Sequence, residues 1–480
     1  MIKLSKISIM ETFDEFVART FPELQANDKE SKTTLPAKTI TFQVTDACNL
    51  CCTYCYQINK GHRSMSFSVA KKFIDMLLED RGGIASYLGH CPFIILDFIG
   101  GEPFLEVDLM DQIVDYFRAR AIELNHPWAT NYCVSVCSNG VLYDDPKVQS
   151  FLVKNSEHLS FSVTVDGTKK LHDSCRIFSD GKGSYDLAHH AAQDWMKRGY
   201  LMGSKITLAP QNIEFFAECL KQMIFDGYKE INANCVFENV WLSETKDCYK
   251  YPRTLYQQIK TFADWFFGQG YDAKKYNIAI VNPDRISPYE EEHLDTWCGG
   301  THAMLAIDPD GDIYPCLRFM ESSLGASVPA IKIGSVSEGV AQNKCHKDCV
   351  ECLRKITRRT SQEDECFYCP ISTGCSECSA FNYQTFGTAD KHAKFICEMV
   401  KATALATVYY WNTYLTMFPD KRDGDEVADL WVPKQWAVPI IGNEEYEHLV
   451  HMTTTLGGIV NKDKTEIRVM NDGNDEENVR

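Results

Sequence analysis

Cys48, Cys52 and Cys55 stand at C-x3-C-x2-C spacing in the segment VTDACNLCCTYCYQ. Three soft thiolates offered by one short loop suit iron or zinc, and iron-sulfur clusters characteristically use such closely spaced cysteines. If these three are the full set, a four-coordinate iron keeps one position open for substrate or cofactor. Cys51 breaks the spacing and is expected to point elsewhere, as a core or incidental neighbour.

Gly100, Gly101, Glu102 and Pro103 directly follow the apolar run FIILDFI. Paired glycines let backbone come close to a ligand, and a carboxylate accepts hydrogen bonds from an ammonium group. Ser138, Asn139 and Gly140 close the next run, YCVSVCS. Residues 298–397 hold ten cysteines: Cys298, Cys316, Cys345, Cys349, Cys352, Cys366, Cys369, Cys375, Cys378 and Cys397. Few regular apolar patterns cross that stretch, so metal rather than apolar burial is expected to organise it. Within it, IDPDGDIYPC reads as a hairpin; DPDGD lacks the spacing and terminal Glu of an EF-hand and is a turn. Glu238 and Glu244, near the expected last barrel strand, are candidates for contacting substrate or deprotonating a thiol.

The elements that must position these residues alternate. Strands are expected at 38–44, 93–99, 132–138, 159–165, 204–208 and 234–240, and helices from Ser66, at 107–117, 185–195 and 213–225. Repeated strand and helix units imply right-handed crossovers and a mostly parallel sheet. The expected organisation is an N-terminal extension over 1–34, a barrel-like domain over 35–245 and a helical linker over 246–297. The cysteine-rich domain with its following helix covers 298–418, and a C-terminal extension covers 419–480. In that extension Trp431, Trp436, Tyr446 and a strand at 464–469 could bind a peptide by strand addition or cover the body.

The 480 residues carry 21 cysteines and a formal charge of -17, which argues against an unspecific nucleic-acid surface. No uncharged apolar run reaches bilayer length, and Glu11 and Asp14 interrupt the N-terminus where a signal core should continue. These features point to a cytoplasmic protein with no membrane partner, whose cysteines are not a disulfide framework.

The cysteine loop followed by GGEP resembles the radical S-adenosylmethionine (radical SAM) superfamily, with Tyr54 in the usual aromatic place. The resemblance implies an α/β partial (β/α)6 TIM-like barrel. In it Cys48, Cys52 and Cys55 ligate a [4Fe-4S] cluster, and S-adenosylmethionine chelates the remaining iron. It also implies that Gly100, Gly101, Glu102 and Pro103 hold the methionyl amine, that Ser138 and Asn139 approach the ribose, and that Arg176 approaches the carboxylate. Asp166, His172, Asp173, Arg176 and Ser184 match a pattern of sulfatase-maturing and peptide-modifying members, His172 as a loop organiser. Gly311 to Cys316 and Cys366 to Cys375 resemble the SPASM extension, with Cys375 to Cys378 one residue shorter than its usual spacing. That implies two auxiliary [4Fe-4S] clusters, one on Cys366, Cys369, Cys375 and Cys397, the other on Cys298, Cys316 and Cys378. One of Cys345, Cys349 and Cys352 would complete the second, or the trio would bind separate metal, receive a substrate thiol or be spare surface or packed thiols.

By the same resemblance the chain is similar to maturases of Cys-rich (CXXX-repeat) ribosomal precursor peptides, and thioether crosslinking through a 5'-deoxyadenosyl radical is the expected reaction. A one-electron donor such as flavodoxin or ferredoxin would be a partner. The alternatives are a formylglycine-forming sulfatase maturase, a carbon-carbon peptide crosslinker and a nonenzymatic iron-sulfur electron carrier.

Overall fold

The computed structural model describes residues 37–460 save 90, 242–246, 291–294, 325–327 and 422–426. Its chain divides into two compact units. One joins the residues up to Lys205 with Leu294–Ser361 and Glu377–His392, and the other joins Ile206–His293, Gln362–Ser376 and the residues from Ala393 onward. The cysteine-rich stretch is therefore shared between them.

The first unit is built on parallel strands β1 (Ala37–Thr45), β2 (Phe93–Gly100), β3 (Tyr132–Ser138) and β4 (Leu159–Val163), which pair in chain order. The strand β5 (Gly203–Leu208) follows, paired through Gly203 to Ser162. Between them run α1 (Phe67–Leu78), α2 (Val107–Glu123), α3 (Pro146–Lys154), α4 (Lys169–Cys175) and α5 (Tyr185–Lys197). Ser66 caps α1 by accepting from the Val69 amide, which satisfies one of the donors left open at a helix start. Asp145 does the same for α3, with Pro146 at its first position. Phe42 packs edge-on against Phe73 of α1 and stacks on Phe98 of β2, while Phe161 of β4 meets Trp195 of α5. These contacts identify the sheet face that the helices cover.

The hairpin Met304–Ile307 and Asp312–Tyr314 extends this sheet, its first strand parallel to β1 through Thr39 and Met304. Its turn is held by the Asp308 carboxylate, which accepts from the Asp310 and Asp312 amides, and Gly311 takes φ 88° there. The turn reading of DPDGD thus has a local cause: a side chain caps the backbone amides. The three cysteines of KCHKDCVECL lie on the helix Lys344–Arg354, at positions i, i+4 and i+7, so they share a face.

In the second unit the strand is Glu230–Cys235, which shares only residues 234 and 235 with the expected 234–240 segment. Ile231 and Ala233 are buried there, and Glu230 and Ile231 pair with Asn277 and Ile278. The helices Lys250–Gly268 and Cys397–Met417 pack through Phe267 and Tyr410, with ring centroids 4.8 Å apart. LWVPKQWAVPII, read from sequence as a proline-punctuated segment, contains the helix Lys434–Ile441 with Pro439 inside it, and a helix Asn443–Thr455 follows. The strand expected at 464–469 lies outside the described residues. Among the described residues no helix is long and apolar enough to cross a membrane.

Candidate functional site

The carboxyl ends of β1 to β4 carry the residues singled out by spacing. The cysteine loop leaves β1 and is tied down from three sides. The Gly101 and Glu102 amides donate to the Thr45 and Ala47 carbonyls, at 3.1 and 2.9 Å. Asn139 Nδ2 donates to Asn49 Oδ1 at 2.7 Å. Further along, the Cys51 and Thr53 amides donate to the Ile177 and Cys175 carbonyls at 2.7 and 2.9 Å. Cys51 is exposed, not a core residue, and serves the loop through its backbone.

The paired glycines have a different local reason from the one spacing suggested. A Cβ on Gly101 would lie 2.2 Å from the Ala47 carbonyl oxygen and 2.7 Å from Cys48 Cβ, and one on Gly100 would lie 2.7 Å from the Thr45 oxygen. The close approach they permit is that of the cysteine loop itself. The Glu102 side chain is also engaged within the protein. Its Oε1 accepts from Ser138 Oγ at 2.7 Å and from the Phe104 amide, and Oε2 accepts from the Asn139 amide at 2.9 Å. Burial raises the Glu102 carboxyl, opposed by these donors. Pro103 opens the short helical turn that leads into α2.

Arg176, at the end of α4, is buried against the loop. Its Nη1 donates to Cys52 Sγ at 3.5 Å, its Nε lies 3.5 Å from Asp166 Oδ2, and its guanidinium stands 5.8 Å from the Tyr54 ring centroid. The Tyr54 hydroxyl donates to the same Asp166 oxygen. Burial, and then Asp166, push the Tyr54 phenol up. Burial also raises the Cys52 thiol, with Arg176 opposing. His172 takes the Asp166 amide on Nδ1 and meets Ser184 Oγ through Nε2 at 3.0 Å. Burial lowers its pKa to about 3, so the ring is neutral and organises the loop. Asp173 accepts from the Tyr185 amide, a structural role.

The thiol chemistry of Cys48, Cys52 and Cys55, all half-buried and reduced, suits an iron-sulfur cluster. The Arg176 Nε makes no hydrogen bond but stands at ion-pair distance from Asp166, which places positive charge beside the same loop. Among the described residues no three His, Cys, Asp or Glu side chains already converge on a metal position.

The remaining cysteines sort by unit. Cys298 and Cys316 flank Gly300, whose added Cβ would lie 3.3 and 3.6 Å from their sulfurs, and Cys378 is within electrostatic reach of both. Cys366, within reach of Cys369 and Cys397, is pushed up to about 11 by burial; these three belong, with Cys375, to the second unit. Tyr87 is within reach of both Cys316 and Cys349 in the first unit. Glu238 is exposed, three residues beyond the strand Glu230–Cys235, and Glu244 lies outside the described residues. Sequence reasoning passed over Asn49, Tyr56 and Asp97. Only Asp97 carried a signal, a lone carboxylate inside an apolar strand.

Residues 39–179 match the family model described as a 4Fe-4S single cluster domain. The chain is 24% identical to the mycofactocin maturase MftC of Mycolicibacterium smegmatis, over 58% of this chain and 63% of that protein, so it spans less than two thirds of that relative. The fold is that of anSMEcpe, solved with AdoMet and a Cp18Cys peptide, at 16% identity and a TM-score of 0.58 over 80% of this chain and 99% of that one. SuiB of Streptococcus suis, solved with its precursor peptide SuiA, aligns at 14% identity with a TM-score of 0.51, covering 83% and 84% of the two chains. The cysteine loop braced by the ends of β2 and β3 thus lies within a 4Fe-4S single cluster domain, in a chain similar to the maturase MftC and sharing its fold with anSMEcpe and SuiB.

Proposed function

We propose that the chain oxidatively modifies a Cys-rich, ribosomally made precursor peptide and forms thioether crosslinks from its cysteines. The observation that carries this reading is the three-thiol loop seated at the strand ends with Arg176 against Cys52, in a chain that holds two further cysteine groups. MftC and SuiB, named for a maturase and for a bound precursor peptide, support the substrate class. Bound at the loop, the cluster and S-adenosylmethionine would supply one-electron cleavage and a hydrogen-abstracting carbon radical.

The chain's own residues divide the remaining work. Cys48, Cys52 and Cys55 would hold the cluster, and Arg176 would offset the negative charge of its thiolates. Ser138 and Asn139, fixed by Glu102 and Asn49, would present the polar edge that the cofactor meets. Cys366, Cys369, Cys375 and Cys397 would hold one auxiliary cluster. Cys298, Cys316 and Cys378 would hold the other, with Cys345, Cys349 and Cys352 beside it. A flavodoxin-like or ferredoxin-like donor would supply electrons. Formylglycine formation is the second reading, favoured by the shared fold with anSMEcpe.

The test is anaerobic incubation of the reconstituted protein with dithionite, S-adenosylmethionine and a synthetic peptide bearing Cys at every fourth residue. A crosslink removes one thiol hydrogen and one carbon-bound hydrogen and resists both reduction and alkylation. An aldehyde product would establish the second reading, and products that are only reducible would exclude the first.

A further inference from the structure

The sheet face opposite the helices in the first unit carries polar side chains and is partly accessible along β2 to β4, while Thr41 of β1 is buried. Parallel sheets are ordinarily covered on both faces and read as continuous apolar runs. Here burial alternates instead: Ile94, Leu96 and Phe98 are buried whereas Ile95, Asp97 and Ile99 are partly accessible, and Val134 and Val136 are buried whereas Ser135 is partly accessible and Cys137 exposed. Strand register places Thr41, Asp97, Ser135 and Ser160 side by side in one row across β1 to β4.

Asp97 is the carboxylate of that row. Ser135 Oγ donates to its Oδ1 at 2.8 Å and Thr41 Oγ1 to its Oδ2 at 3.3 Å. It lies three residues before Gly100, about 10 Å along the strand from the end that carries the cysteine loop. Tyr56, directly after Cys55, is within electrostatic reach of both Asp97 and Cys137, and Arg318 stands 5.3 Å from its ring. The charged and titratable groups facing Asp97 are thus Lys205 of β5, Cys133 of β3 and Tyr56. Burial raises the Asp97 carboxyl, with Ser135, Thr41 and Lys205 opposing.

Thioether formation from a thiol must dispose of a proton. The carbon loses a hydrogen atom, the S–H bond breaks as the S–C bond forms, and one electron leaves to an iron-sulfur acceptor. We infer that Asp97 is the proton acceptor for the substrate cysteine, which lies along the accessible part of the polar row, over β2 to β4; this rests on the crosslinking reading proposed above. Ser135 and Thr41 hold the carboxylate with its two oxygens engaged from the flanking strands, so its direction is set before substrate arrives. A base with a raised pKa is the better acceptor near neutral pH, and such a group contributes about 100-fold or more to rate.

The experiment compares wild type with Asp97→Asn and Asp97→Glu, using the synthetic Cys-repeat peptide and counting crosslinked peptide and 5'-deoxyadenosine separately. Asp97→Asn should keep cofactor cleavage while crosslinking falls on the order of 100-fold. Its residual rate should climb with pH as the thiol ionises unaided, and Asp97→Glu should restore part of the rate. In protein without peptide, a carboxylic-acid infrared band absent from Asp97→Asn should persist above the pH at which ordinary aspartates ionise. Unchanged crosslinking in Asp97→Asn, equal loss of both products, or absence of that band would overturn the inference. Wild type that cleaves cofactor yet never crosslinks the peptide would remove the crosslinking reading and the inference with it.

Discussion

Arg176 reaches Cys52 from the far side of the cysteine loop, its Nη1 at 3.5 Å from the sulfur, while its Nε faces Asp166. One buried guanidinium therefore faces a thiol that can become a metal ligand and a carboxylate that is itself only 2% exposed. Charge balance at this spot is shared among Asp166, Arg176, Tyr54 and the thiol. Removing Arg176 leaves Asp166 bonded to the Tyr54 hydroxyl but without its cation.

Arg176→Ala should lower stability by about 3 kcal/mol or more, because the buried Asp166 carboxylate loses its cation. Asp166→Asn combined with Arg176→Ala should cost less than the sum of the two changes. Urea denaturation of the four proteins checks this, and strict additivity would show that the two groups do not interact.

Replacement of Cys48, Cys52 or Cys55 by Ala should abolish 5'-deoxyadenosine formation and leave part of the iron-sulfur absorption in place. Replacing Cys366, Cys369, Cys375 or Cys397 should instead spare abortive cofactor cleavage and suppress peptide product. Iron counting beside product analysis distinguishes the two groups; normal cleavage in all three loop variants would sink the loop's assignment.

Gly101→Ala should destabilise the protein by about 1–3 kcal/mol, since the new methyl would press on backbone rather than on a movable side chain. The denaturation midpoint and the cofactor affinity of folded protein are to be measured together. A normal midpoint with weakened cofactor binding would restore the ligand-approach explanation of the two glycines.

His172 links stability to pH with a defined sign. Its folded pKa, about 3, is depressed below the ordinary 6.5, so the unfolded chain binds the proton more tightly. Its contribution is complete above pH 6.5 and is lost as pH falls toward about 3, at up to about 1.4 kcal/mol per pH unit. Wild type minus His172→Gln should show that slope in the unfolding free energy; a flat difference would mean the buried ring is not kept neutral.

Much of the site was legible because local chemistry carries it. C-x3-C-x2-C on a short loop, a strand ending in GGEP and a helix cap at Ser66 are each decided within a few residues, and β1 to β5 fall close to where alternation of strand and helix patterns places them. The strand after β5 was displaced because the 234–240 run resembles a strand, whereas pairing with Asn277 and Ile278 selects Glu230–Cys235. Pro439 marks a break in a sequence pattern, yet it sits inside the helix Lys434–Ile441, its carbonyl taken by Arg253.

What Gly101 and Glu102 do depended on partners distant in sequence. Spacing alone offered them to a ligand, but the Ala47 carbonyl fills the space beside Gly101, and Ser138 with the Asn139 amide occupies the Glu102 carboxylate. Asp97 shows the same limit from the other side. Composition reveals one acid in an apolar strand, while its neighbours Thr41 and Ser135 are 56 and 38 residues away and meet it only through parallel register. Residue type and short spacing therefore determined which groups could do chemistry here, and strand pairing decided which of them face one another, because contacts across a sheet are set by register rather than by distance along the chain.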